Sequence, residues 1–218
     1  MDFLGPTTLR PMRPLRKSLV LLALASSLAA ALAVSAPAQG GLISGLTGIL
    51  VPSCSSTSQV FSQFGDFSWY YPVPNQGFES GKTGWTLSGS TSVVSDNEPW
   101  KVSGVGSHAL TIGSGGTATS APTCISILAP HVRLFADGRA ATGALQVQVQ
   151  FRGLTGNLLG ILNYGTFKPG SYGAWRPSDQ VSSLLGLPLL TSSVQVKFTS
   201  LGGTWRIDDV YVDPLRMG

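Results

Sequence analysis

Charge is scarce in this chain: Asp, Glu, Lys and Arg make up 11% of its 218 residues, and it holds two histidines and two cysteines. Neither histidine, His108 or His131, has a second His or Cys at metal-ligand spacing, which argues against a zinc site. No G-x-S-x-G elbow offers a serine nucleophile, although a Ser-His-Asp arrangement assembled in space would leave no such mark. The glycine-rich turns precede strand-like runs, not helices, which argues against a phosphate loop. Paired carboxylates for glycoside hydrolysis also fail to stand out. The one acidic pair, Asp208-Asp209, sits on a strand, where adjacent side chains point to opposite faces. We expect no enzyme.

Long apolar runs are missing beyond residue 34. The first 38 residues read as a signal peptide: Arg10, Arg13, Arg16 and Lys17 precede an apolar run from Leu19 to Val34, which ends in Ala36-Pro37-Ala38, a small-x-small cleavage site. The run is about sixteen residues long, short of the ~20 that a spanning helix needs. The chain is therefore expected to be secreted, with no membrane association after cleavage before Gln39. Removing the signal takes four of the fourteen basic residues and one of the ten acidic ones, so ten face nine and the formal charge falls to +1. The basic balance belongs to the targeting segment, and the remaining aromatics are not interleaved with Lys or Arg, so no nucleic-acid partner is expected.

Three regions follow: the signal at 1–38, a flexible arm at 39–57 rich in Gly, Ser, Leu and Ile without a clear period, and a single domain at 58–218, expected to be monomeric. Cys54 and Cys124, an even count in an oxidising compartment, are expected to form one disulfide that tethers the arm. The competing idea is a lipid-modified Cys54 after Val51-Pro52-Ser53. It would leave Cys124 unpaired, and Cys54 lies twenty residues beyond the apolar run. About six residues follow the last expected strand, so no fused catalytic domain is expected.

What the mature chain does have is alternation. In "ALQVQVQF", Leu145, Val147, Val149 and Phe151 point one way and Gln146, Gln148 and Gln150 the other; "SVQVKF" repeats this with Val194, Val196 and Phe198. Strands are predicted over 85–87, 92–95, 108–112, 132–136, 145–152, 158–162, 193–199 and 204–212, with turns at Gly113-Ser114-Gly115-Gly116, Asp137-Gly138 and Gly202-Gly203. "PSDQVSSLLGL" offers one or two helical turns capped by Ser178. Earlier, Phe61, Phe64, Phe67, Trp69, Tyr70 and Tyr71 crowd into eleven residues, either a strand and loop packed over a sheet or an exposed binding strip. The fold class is all-β, a β-sandwich.

Two separated segments carry a resemblance. "NQGFESGKTGWTLSG" at 75–89 and "WRIDDVYVDP" at 205–214, with "GVGSHALTI" between them, resemble the start, end and third landmark of the galactose-binding-like jelly rolls, a family with several carbohydrate-binding modules. The resemblance implies a jelly-roll sandwich and a structural calcium ion between the first and last strands. Gly77 (by its carbonyl) and Glu79 would lie on one side, and Asp208 or Asp209 on the other; calcium takes six to eight such oxygens. The alternative is that Glu79 and one Asp accept backbone N–H bonds at strand ends. Strict alternation puts Trp205, Ile207, Asp209 and Tyr211 on one face and Asp208 and Val210 on the other, and a bulge near Ile207 would reverse the choice.

Sugar-binding members of that family stack pyranose rings on exposed aromatics. Candidates here are Trp100, Tyr164, Tyr172 and Trp175, with Tyr172 and Trp175 in the Gly-rich "PGSYGAWRP" expected to be exposed and Trp85 in the core. The expected function is a secreted, non-catalytic binding module for carbohydrate or a cell-envelope glycan. The alternative is a structural or protein-binding extracellular domain of the same fold.

Overall fold

The computed structural model describes residues 56–104, 106–123, 131–182 and 188–215, all within one compact unit, Gly41–Gly218. The expected signal peptide, nearly all of the expected arm, and Cys54 and Cys124 lie outside the described residues. Among the described residues twelve strands run in order: β1 (Trp69–Pro72), β2 (Trp85–Ser88), β3 (Thr91–Val94), β4 (Ala109–Ile112), β5 (Thr117–Ser120), β6 (His131–Ala141), β7 (Leu145–Gly153), β8 (Leu158–Phe167), β9 (Arg176–Pro177), β10 (Val181–Ser182), β11 (Thr191–Ser200) and β12 (Gly203–Leu215). Every pairing among them is antiparallel. They form a seven-stranded sheet, β10-β6-β12-β4-β3 with β1 on β12 and β9 on β6, and a five-stranded sheet, β2-β5-β11-β7-β8. This is a β-sandwich of jelly-roll type. Among the described residues no helix is long and apolar enough to cross a membrane.

The alternating runs become the sheet centres. β7 is buried at every second position, Leu145 through Phe151, and registers against β11 so that Val149 opposes Val196 and Gln150 opposes Gln195. The inward residues of β7 and β11 meet Val132, Leu134 and Ala136 of β6 and Trp205, Ile207, Val210 and Val212 of β12 in one core. Each such buried apolar side chain contributes roughly 1.5–3 kcal/mol.

The 75–89 motif has a local logic. Asn75 takes a left-handed conformation (φ 54°), and its side-chain amide donates to the Gly81 and Thr83 carbonyls (2.8 and 2.9 Å) while its oxygen accepts from Ser80 N–H (3.0 Å). That wrap drives Phe78 into the core against Trp85, ring centroids 4.9 Å apart.

Two local expectations are corrected. Asp137-Gly138 is not a turn but the middle of β6; a Cβ at Gly138 would lie 2.8 Å from the Trp205 ring, so the glycine is there for close packing of the indole. The described part of the expected helical stretch, Pro177 to Ser182, is not helical: Pro177 opposes Phe135 and Val181 opposes Val132, while residues 183–187 lie outside the described residues. The choice left open in β12 falls to the bulge: alternation breaks between Asp208 and Tyr211, where Asp209 has φ 47°, so Val210 turns to the core and Tyr211 to the outer face.

Candidate functional site

The bulge in β12 gathers carboxylates. The segment after β1 is laced to it: Val73 N–H donates to the Val210 carbonyl and Val210 N–H to the Gln76 carbonyl, both at 3.2 Å. Gly77 is thereby pressed on the pair; a Cβ there would lie 3.0 Å from Asp209 Oδ1 and 3.7 Å from Asp208 Oδ1 and Ser103 Oγ. A third acid, Glu98 in the β3–β4 connection, is fully buried beside them. Glu98 N–H donates to Asp208 Oδ2 (3.1 Å) and Asp209 N–H to Asp208 Oδ1 (2.8 Å). Both oxygens of Asp209 are buried, with Ser103 beside them. Burial, then the charge of Asp209, pushes Asp208 up to about 9; burial, then the charge of Glu98, raises Asp209 to about 7 against the opposing pull of Ser103.

Glu79 is engaged elsewhere. Its Oε1 accepts from the Ser107 and His108 backbone N–H groups (2.8 Å each), and its Oε2 from Ser107 Oγ (2.8 Å), with His108 Nδ1 at 3.2 Å. Burial pushes its carboxyl up but is outweighed by these bonds, which bring it down to about 2. The structure therefore brings Gly77, Asp208 and Asp209 together and supplies Glu98, which the sequence reading missed. Glu98 lies 110 residues from Asp208, and its "NEPW" setting drew attention to the tryptophan alone. Among the described residues no three His, Cys, Asp or Glu side chains are arranged to hold a metal ion.

Glu98 also sets the tryptophan. Its Oε2 accepts from Trp100 N–H (2.5 Å) and its Oε1 from Val102 N–H (2.8 Å), which ties this loop down over the outer face of the seven-stranded sheet. Trp100 stacks on Phe135 (centroids 5.3 Å apart, planes 29° apart) and meets Phe64 edge-on at 5.4 Å, yet stays 39% exposed. Beneath lies a second apolar cluster, Phe61, Tyr70, Phe135 and Tyr211, with Val60, Phe64, Val102 and half-buried Trp175 against it. The aromatic-rich segment at 61–71 is thus divided: Phe61 and Tyr70 cover the sheet, while Phe67 and Trp69 are exposed.

An open groove of about 670 Å³ results, lined by Phe64, Trp100, Arg133, Trp175, Arg176 and Asp179 among others. Its floor is rigid. The Arg133 guanidinium sits 4.5 Å from the Phe61 ring centroid, donates through Nε to the Ser178 carbonyl (3.0 Å) and ion-pairs through Nη1 with Asp66. Asp66 also accepts from Tyr70 Oη (2.5 Å) and Gln180 Nε2 (3.1 Å).

Two of the four candidate aromatics, Trp100 and Trp175, share this groove. The other two are corrected. Tyr172 is 5% exposed, its ring 5.1 Å from Phe167 and 5.9 Å from Trp205. The glycines around it form a turn, and Gly138 N–H donates to the Tyr172 carbonyl (2.7 Å), so the tyrosine anchors that turn in the core. Tyr164 is 7% exposed because it is the extra residue between the Val147–Gly165 and Gln148–Asn163 pairs, and the bulge turns it inward.

No family model matches the chain, and no curated protein matches it. Among solved structures, the chain is similar to the enzymatically active domain of bacteriophage CBA120 tailspike protein 4, with 14% identity and a TM-score of 0.50 over 66% of this chain and 21% of that one. It is also similar to the CBM22-1 xylan-binding domain from Paenibacillus barcinonensis Xyn10C, 14% identical over 66% of this chain and 94% of that one with a TM-score of 0.44. A third is TmCBM61, seen in complex with β-1,4-galactotriose: 16% identity, 66% and 97% coverage, TM-score 0.39. The tailspike likeness is one of fold, and this chain spans about a fifth of that protein's length.

Proposed function

We propose that the mature chain is a secreted, non-catalytic module that binds carbohydrate, cell-envelope glycan included, in the groove between Trp100 and Trp175. The carrying observation is Trp100, a 39% exposed indole immobilised on Phe135 and Phe64 at a groove with polar and charged walls. Flat apolar surface beside fixed hydrogen-bonding groups suits the C–H face and the hydroxyls of a sugar ring. A glycosidase needs two carboxylates across the scissile bond. Asp179 is the one acid among the described residues lining the groove. Retention of the purified protein on insoluble polysaccharides or cell-wall preparations tests the reading: wild type is held and Trp100→Ala is not. Equal retention of both, or of neither, defeats it.

The proposal includes one calcium ion beside Gly77, Asp208 and Asp209, and a Cys54–Cys124 disulfide. The buried carboxylate oxygens of Asp208 and Asp209 are hard donors of the kind calcium takes. When bound, the ion would supply the positive charge that three buried carboxylates lack. Identical melting curves in calcium and in chelator count against it, and two alkylatable thiols in the secreted protein count against the disulfide.

A protein-binding role has one observation of its own. β8 is an edge strand, and Leu158, Ile161, Leu189 and Leu190 are exposed on or near it. A co-purifying protein with no retention on any glycan favours that role.

A further inference from the structure

We propose that the cleft on the far side of Arg133 is a second sugar subsite with Phe67 as its platform, so that the module grips the interior of an uncharged glycan chain and not a single terminal sugar. This rests on the reading of the Trp100 groove as a glycan site. The second cleft, about 480 Å³, is lined by Gly65, Asp66, Phe67, Ser68, Arg133 and Gln180. Arg133 lines both clefts, so they adjoin. That side chain is no gate: it is 10% exposed and clamped by Asp66, the Ser178 carbonyl and the Phe61 ring, which makes it a shared floor.

Each cleft has its own aromatic. Phe67 is 67% exposed, yet its turn is pinned by Ser68 N–H on Asp66 Oδ1 (3.0 Å) and by Gln59 Nε2 on the Phe67 carbonyl (2.6 Å). A pinned turn that holds a phenyl ring out in water offers a preformed stacking surface. Gln180 and Ser68 line the same cleft, with Gln180 Nε2 held by Tyr70 Oη (2.8 Å), Asp66 Oδ2 (3.1 Å) and Ser68 Oγ (3.5 Å). Two open clefts in a row, each with an aromatic, do not enclose a chain end; they follow a chain. The Arg133 charge is matched by Asp66 across the shared floor, and Arg176 and Asp179 carry opposite signs in the first cleft, so nothing selects an acidic sugar.

The test takes whichever insoluble polysaccharide retains wild type and titrates its hydrolysis oligomers of two to eight units against wild type, Phe67→Ala, Gln180→Ala and Trp100→Ala. Wild-type affinity should rise with length. Phe67→Ala should weaken the longer oligomers about tenfold, the size of one aromatic contact, and leave the shortest unchanged. Gln180→Ala should show the same length dependence with a smaller loss, and Trp100→Ala should abolish binding at every length. Phe67→Ala and Gln180→Ala matching wild type at all lengths overturns the second subsite while the groove reading stands. Retention of wild type on no polysaccharide overturns both.

Discussion

On the five-stranded sheet the outward positions of β7 carry Gln146, Gln148 and Gln150; on the seven-stranded sheet the outward positions of β6 carry Arg133, Phe135 and Asp137. The first face completes its own hydrogen bonding: Gln148 Nε2 donates to Asn163 Oδ1 (2.8 Å), Arg152 to Gln195 (2.6 Å) and Gln150 (2.9 Å), and Gln195 to the Ser120 carbonyl (2.6 Å). The outward positions of β7 and β11 hold no aromatic ring. The second face carries apolar rings that water solvates poorly, and two connections fold over it, residues 58–68 and the β3–β4 loop. Where the covers meet imperfectly, grooves remain. A sheet face that needs covering acquires clefts, and one that satisfies itself stays flat.

The largest way to break this contrast is Tyr172→Ala, which removes the anchor of the groove's Gly-rich wall; we expect a loss of about 3–5 kcal/mol in denaturant melts, as for any large buried aromatic. Arg133→Met should come next, leaving Asp66 without its cation and loosening the 58–68 cover, with about 2 kcal/mol lost and glycan binding weakened. Trp100→Ala should remove binding at a smaller stability cost, about 1 kcal/mol, since the indole is part exposed.

The two acid sites sharpen the comparison through pH. Asp208 and Asp209 have native values raised to about 9 and about 7, so the folded state holds more protons than the unfolded one above about pH 4. In chelator, stability should therefore fall as pH rises from about 4 towards 9, and Asp209→Asn should flatten that slope. Glu79 runs the other way. Its value is lowered to about 2, so its contribution is present above its unfolded value and is lost as acid carries the pH down towards 2. Melting temperature against pH for wild type, Asp209→Asn and Glu79→Gln separates the two limbs. The smallest effect belongs to the self-satisfied face: Gln148→Ala should change stability by less than about 0.5 kcal/mol and leave retention on polysaccharide unchanged.

Much of the scaffold was legible because strand alternation is local. Val147, Val149 and Phe151 face the core as their spacing says, and Val194, Val196 and Phe198 match them. The misreadings sit where a bulge or a close approach breaks the period, at Tyr164 and at Gly138 under Trp205, and the facing of Asp208 and Asp209 stayed open for the same reason. A Gly-rich setting suggested that Tyr172 was exposed, but a flexible turn still needs one residue to hold it, and the aromatic does so.

By itself the sequence determined eight of the strands, though not β1, β5, β9 or β10, together with the two-sheet layering and the short roll of aromatics from which any stacking site had to come. Only the tertiary structure decided which of those rings remain outside. That choice depends on partners far apart in the chain: Glu98 on Asp208, 110 residues away, and Gln180 on Asp66, 114 away. A period of two residues is a property of one strand, whereas a groove belongs to segments that meet only once the sandwich has closed.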